Sequence, residues 1–211
     1  MPEPTGIFDN LGGLGVGGGP LGNLYSAISD TQARETLELA LDSGVRYFDT
    51  APFYGFGLSE RRFGDALRGR DGYVLSTKVG RLLEPIGRGR QPDRSVFDTP
   101  MPFEVRWDYS YDGVMRSFEQ SLQRLAVPAI DILLFHDLAE DAHEPEALAA
   151  NRRVAFERGW RAAQELKRDG LVSAVGFGLN SIEAARIAID ACAPDCVLLA
   201  SRYTLLEQTA A

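Results

Sequence analysis

"GGLGVGGGPLG", residues 12–22, holds the spacing Gly13-x-Gly15-x-x-Gly18, the glycine pattern of a dinucleotide-binding turn. The residues just downstream of it decide between an open doubly wound sheet and a barrel. In a dinucleotide fingerprint the third glycine opens a helix whose N-terminus faces a pyrophosphate. Here Gly18 is succeeded by Gly19, Pro20 and Gly22, and no helical pattern begins before about Asp30. The glycines are therefore read as a first strand and a turn where backbone closely approaches a neighbour or a ligand.

Downstream, strand and helix patterns alternate. "SDTQARETLELALDSG" predicts a helix opened by a Ser29–Gln32 capping box, with Ala33, Leu37, Ala40 and Leu41 on one face and Gly44 ending it. "VRYFDT" and "YVLSTK" read as strands, with the helix "LSERRFGDAL" between them. Residues 79–110, rich in arginine, glycine and proline, read as a long surface loop, a type that is commonly functional. Order returns with the helix "YDGVMRSFEQSLQRL", where Val114, Phe118, Leu122 and Leu125 share a face, and the strand "IDILLFH". The helix "NRRVAFERGWRAAQELKRDG", the strand "VSAVGFG", the helix "SIEAARIAIDAC" and the strand "CVLLA" complete the series. Alternating elements with apolar strands imply a parallel sheet covered on both faces, hence an α/β architecture.

The polar residues at the strand ends separate the two layouts. Asp49, Lys78, His136 and Asn180 each end an apolar run. In a barrel these ends converge on one rim, whereas in an open sheet they lie along a line. Four chemically useful groups at consecutive ends favour the barrel, and "DTAPFYG" brings Tyr54 back over the same rim. A free tyrosine titrates near pH 10, and a neighbouring ammonium such as Lys78 lowers that value by stabilising the phenolate. Asp49 would hold Lys78 charged, and His136 would orient a carbonyl or hydroxyl. Together the four form a general acid/base assembly for proton transfer at oxygen. His143, in "EDAHEPE", reads as exposed and idle. Cys192 and Cys196 read as reduced packing residues, and no metal site is expected.

At these residues the chain resembles the aldo-keto reductases. "GVRYFDTAPFYGFGLSE" is similar to the family signature around its catalytic aspartate and tyrosine, "LSTKVG" to its lysine strand, "IDILLFHD" to its histidine strand and "VGFGLN" to its nicotinamide-amide strand. "PLGNLY" and "SRYTLLEQ" resemble the branch that oxidises aldoses such as L-fucose or L-galactose, and pyridoxal. The resemblance implies one (β/α)8 TIM-barrel domain over residues 1–211, with about six of the eight βα units present. It also implies NAD or NADP as cofactor and a small aldose, aldehyde or pyridoxal as substrate. Asp49, Tyr54, Lys78 and His136 would be catalytic, Tyr54 handling the proton while hydride moves between the cofactor and a hemiacetal carbon, aldose to lactone. Asn180, Asp49, Gly19, Pro20 and Leu21 would contact the cofactor; His136 and Trp107, the latter a wall in the long loop, would contact the substrate. Leu179 stands where many members carry serine, and Ala200 falls near their usual glutamine.

The sequence ends just beyond the sixth strand pattern, so the expectation is a chain short of its C-terminal portion. Two rival readings stand beside the enzyme: a barrel that binds NADPH without catalysis and acts through partners, and an inactive fragment. The bulk properties narrow the class. A hydrophobic content of 45% with 25% charged residues suits a globular chain able to bury a core, and a formal charge of −8 disfavours nucleic-acid or anionic-membrane partners. Met1 to Asn10 has no leader-like apolar run, and no stretch approaches a membrane span, so a cytoplasmic protein is expected.

Overall fold

Side chains of a strand point alternately to opposite faces, so an apolar strand buried on both sides must supply two cores. The computed structural model, which describes residues 6–210, shows both. Residues 1–5 of the N-terminal stretch read as leaderless lie outside the described residues. Six strands, β1 (Gly15–Gly17), β2 (Tyr47–Asp49), β3 (Val74–Val79), β6 (Ile132–His136), β7 (Ala174–Leu179) and β8 (Cys196–Leu199), form one parallel sheet in the order β1-β2-β3-β6-β7-β8. Val74, Ile132, Leu134 and Ala174 pack inside its curl, edged by Tyr47, Cys196 and Leu198. Their strand neighbours Phe48, Leu75, Leu133, Val175 and Phe177 pack outward in the core that also holds the helix residues Leu37, Phe63, Phe118 and Ala162. The result is a partial (β/α)8 barrel of six parallel strands, the first five each leading into helix on the outer face, in which β1 and β8 each have one neighbour among the described residues.

The helices match their sequence signals. α1 (Asp30–Asp42) opens on the Ser29–Gln32 capping box and buries Ala33, Leu37 and Leu41. α2 (Leu58–Leu67), α3 (Tyr111–Leu125) and α6 (Ile182–Cys192) form where their patterns lie, the last two capped by Ser110 and Ser181. The helix expected from Asn151 starts earlier: α4 (Pro145–Val154) runs through a π turn at Ala155–Gly159 into α5 (Trp160–Arg168). At that turn a Cβ on Gly159 would lie 2.4 Å from the Tyr109 carbonyl oxygen, so only glycine lets the helix settle there.

Helices α2 and α3 approach even more closely. A Cβ on Gly64 would sit 2.0 Å from the Leu125 carbonyl oxygen. Beside this contact the fully buried Glu60 accepts from Arg124 Nε at 2.6 Å and from Thr77 Oγ1 at 2.7 Å, tying α2 to both α3 and β3. Gly64→Ala therefore forces two helices apart. Urea denaturation should show a loss of about 1–3 kcal/mol, and an unchanged midpoint would contradict the packing.

The long loop expected over residues 79–110 is ordered instead. β4 (Arg81–Pro85) and β5 (Phe103–Trp107) pair antiparallel, with Arg81 opposite Trp107. The segment between them folds back on the barrel: Tyr25 N–H donates to Val96 O (2.9 Å), Asp98 N–H to Asn23 O (2.8 Å) and Met101 N–H to Gly55 O (3.0 Å). Phe97, Phe56 and Leu83 form a small core there, flanked by Phe53 and Tyr54. Widely separated halves hid this ribbon: each is short and partly apolar, but a segment rich in arginine, glycine and proline lies between them.

Candidate active site

Alternation along the strands brings the polar ends together. Asp49, Ser76, Lys78 and His136 share the inner face with Tyr47, Val74, Ile132 and Leu134, which lie an even number of residues away on the same strands. Lys78, 1% exposed, donates from Nζ to Asp49 Oδ2 at 2.6 Å and to the Thr50 carbonyl at 2.8 Å. Ser76 Oγ donates to Asp49 Oδ1 at 2.6 Å, so both carboxylate oxygens are engaged. Gly178 on β7 makes room for the lysine: a Cβ there would come within 3.1 Å of Lys78 Cε.

Tyr54 closes over this pair. Lys78 Nζ lies 4.7 Å from the centre of its ring, and the His136 ring meets it edge-on at 5.9 Å. The turn carrying Tyr54 rests on the glycine-rich segment, where a Cβ on Gly22 would fall 2.5 Å from the Tyr54 carbonyl carbon. Likewise Gly18 N–H donates to Asp49 O at 2.7 Å, with β1 beside β2. The glycines thus serve close backbone approach, as a first strand and a turn.

Burial sets the protonation of these groups. Desolvation alone would favour neutral Lys78, but Asp49 and Tyr54 together outweigh it and hold the ammonium above its usual range. Burial, followed by the charges of Arg81 and Lys78, keeps His136 well below the usual imidazole value, hence neutral. Tyr54 departs from expectation: burial raises its phenol above 10 and outweighs the opposing effect of Lys78. The lysine is in place, yet the net shift is upward because the water that would solvate a phenolate is excluded.

Other expected residues are spread around the mouth. Trp107 lies on β5 rather than in a loop, and lines a cavity of about 560 Å³ with Phe53, Phe56, Arg81 and Asp141. Asn180 comes directly after β7 and donates from Nδ2 to Asp141 Oδ2 at 3.0 Å, beside a separate cavity of about 420 Å³. Gly19, Pro20 and Leu21 enter a 3₁₀ turn after β1, with Leu21 buried and Pro20 exposed. His143, expected to be exposed, is half-buried, its ring centre 4.2 Å from that of Trp107 and its Nε2 3.2 Å from Tyr109 Oη. Tyr109 Oη in turn donates to the His136 carbonyl at 2.6 Å. Both cysteines are free and half-buried, and burial pushes each thiol up to about 11.

Sequence reasoning passed over Arg81 and Asp137. Arg81 is 6% exposed, bonds Asp137 through Nη2, and lies with its guanidinium carbon 3.7 Å from the Phe53 ring centre. Their signal was faint but present: a charged residue directly succeeds each of the strand motifs "TKVG" and "LLFH".

A sequence model of the aldo/keto reductase family matches residues 13–211. Pyridoxal 4-dehydrogenase of Microbacterium luteolum is 42% identical over 204 residues, 92% of this chain and 60% of that protein. D-threo-aldose 1-dehydrogenase of a Pseudomonas species is 39% identical over 208 residues, 94% of this chain and 59% of that protein. The chain thus spans about three-fifths of the length of the curated relatives it matches. Among solved structures, the aldo-keto reductase AKR11C1 from Bacillus halodurans in its holo form superposes with a TM-score of 0.62 at 25% identity, covering 87% of this chain and 51% of that one. Among the described residues, no helix is long and apolar enough to cross a membrane.

Proposed function

Because the chain belongs to the aldo/keto reductase family, we propose that it catalyses NAD(P)-dependent hydride transfer at the hemiacetal or aldehyde carbon of a small aldose or of pyridoxal, with Tyr54 as the proton-transfer group. The observation that carries this reading is the buried Lys78–Asp49 pair lying beneath a half-buried tyrosine and beside a neutral histidine. The substrate classes come from the two relatives, one named for pyridoxal and one for a D-threo-aldose.

Aldo/keto reductases use NAD(P)H, and the residues of this chain fit the carboxamide end of such a dinucleotide. Asn180 offers an uncharged amide at the carboxyl end of the sheet, one donor and one acceptor that complement a second amide. Its cavity holds three carboxylates, Glu140, Asp141 and Glu207, against one cation, Arg202, with Ser181, Ile182 and Thr209 completing the lining, so the phosphates are assigned to no residue here. Gly19, Pro20, Leu21 and Asp49 are proposed as further cofactor neighbours at the ends of β1 and β2. When bound, the dinucleotide supplies or accepts the hydride.

The chain's own residues do the rest. Tyr54 exchanges a proton with the substrate oxygen, giving its proton in reduction and taking the hydroxyl proton in oxidation. Lys78, kept charged by Asp49, stabilises the phenolate left after donation. His136 orients the substrate oxygen, while Phe53, Phe56 and Trp107 wall the cavity and exclude water, which strengthens each electrostatic contact.

The upward shift at Tyr54 has a defined consequence for pH dependence. A phenol titrating above 10 is protonated at neutrality and serves as an acid, whereas oxidation needs its conjugate base. Below that value the phenolate fraction grows about tenfold per pH unit. The oxidative rate, followed by reduced-nicotinamide absorbance with pyridoxal and with free aldoses, should therefore climb steadily above pH 7, while the reductive rate stays level. Absence of turnover on every such substrate, with cofactor bound, would refute the proposal; an oxidative rate indifferent to pH would remove Tyr54 from the proton step.

A further inference from the structure

Ser76 stands two residues before Lys78 on β3, opposite Asp49 in the register of β2 and β3, and is fully buried. Its Oγ donates to Asp49 Oδ1 at 2.6 Å and lies 2.9 Å from Tyr47 Oη. A serine hydroxyl carries a single proton. Because that proton goes to the carboxylate, the second bond runs the other way, with the Tyr47 phenol donating to Ser76. Burial, followed by the charge of Asp49, raises the Tyr47 phenol, so its proton stays in place for that bond. The donors point one way along the inner face, from Tyr47 to Ser76 and from Ser76 to Asp49.

An ammonium turns freely about its last bond, and only its acceptors fix where its three N–H groups point. Lys78 gives one to Asp49 Oδ2 at 2.6 Å and one to the Thr50 carbonyl at 2.8 Å, with the Tyr54 ring centre 4.7 Å from Nζ. A carboxylate free to swing about its own bond would release the first of these. Ser76 prevents the swing by engaging Oδ1 while Oδ2 engages the lysine. Its donor also draws charge away from the carboxylate, and the bond from Tyr47 strengthens that pull, since chained hydrogen bonds polarise one another. Both effects reach Tyr54, whose phenol is raised by burial, lowered by the charge of Lys78 and raised again by that of Asp49.

We propose that Ser76, backed by Tyr47, is a positioning residue: it locks the Asp49 carboxylate so that Asp49 in turn keeps the Lys78 ammonium aimed at Tyr54. The inference rests on the proposed function in taking Tyr54 as the group whose proton moves. It adds two hydroxyls that act on that step through Asp49 and Lys78. Without Ser76 the phenolate loses support on two counts, a lysine free to turn away and an Asp49 charge less dispersed.

The test is carbon NMR of the full chain labelled at tyrosine Cζ, titrated without substrate. The chain has 7 tyrosines, and Tyr54→Phe identifies the signal of Tyr54. Ser76→Ala should move the Tyr54 midpoint upward by about half a pH unit to one, and Tyr47→Phe should move it the same way by less. With substrate, Ser76→Ala should lower kcat about three- to tenfold with the cofactor KM unchanged, and oxidation should stop climbing at a correspondingly higher pH. A mere loosening of the mouth would admit water and lower the midpoint instead, so the sign of the shift separates positioning from packing. A midpoint unmoved or lowered in Ser76→Ala overturns the proposal, and if that variant fails to fold, the same result in Tyr47→Phe does so. Absence of turnover in the unaltered chain, with the midpoint moving upward as stated, would count against the proposed reaction and leave this inference standing.

Discussion

Tyr54→Phe is expected to lower turnover by about 10²–10⁴-fold, the range for losing a positioned proton-transfer group, with thermal stability shifted by no more than about 1 kcal/mol. The asymmetry comes from the separate duties of the ring and the hydroxyl. The ring packs beside Phe56, Leu83 and Phe97 under the ribbon of β4 and β5, and phenylalanine preserves those contacts. The hydroxyl feels the charge of the Lys78–Asp49 pair, and phenylalanine removes that hydroxyl alone. Initial rates of nicotinamide oxidation and reduction, with calorimetry on the same samples, separate the two effects. Turnover within a few-fold of the unaltered chain would mean that another group moves the proton.

Lys78→Met should be more damaging, because it breaks a buried pair by removing one member. Asp49 retains Ser76 as a partner but loses its compensating charge, and uncompensated buried charge costs about 3–5 kcal/mol. Activity should fall together with stability, so the single variant cannot tell a catalytic lysine from a structural one. A second variant can. Lys78→Met combined with Asp49→Leu replaces the ion pair with apolar side chains, a change that is often neutral for folding. Chemical denaturation should show most of the stability restored, while turnover stays as low as in the single variant. Recovery of turnover along with stability would reduce Lys78 to a packing residue.

Much of the fold was legible because it depends on near neighbours. The capping box at Ser29, the apolar faces of α1 and α3 and the strand-length runs ending at Asp49, Lys78 and His136 are each contained in a short window. Tyr54 was legible through its distance from Asp49 along one turn. The ribbon was not, because Arg81 and Trp107 pair across a long intervening segment whose own composition suggests a coil. His143 was misjudged for the same reason: polar flanking residues suggest exposure, but Trp107 and Tyr109 reach it from a distant element. The phenol shift at Tyr54 was misread in sign because charge neighbours can be inferred from motifs, whereas depth of burial cannot.

The ribbon makes dryness of the mouth a long-range property. The strands carrying Asp49 and Lys78 pair directly, whereas β6, which carries His136, joins β3 only after the chain has passed through the whole ribbon. Shielding that framework requires Phe97 to return to Phe53 and Phe56, and Val96 and Asp98 to return to Tyr25 and Asn23. A chain that lost only those contacts would keep Asp49, Lys78 and His136 in register on the sheet while admitting water to the mouth.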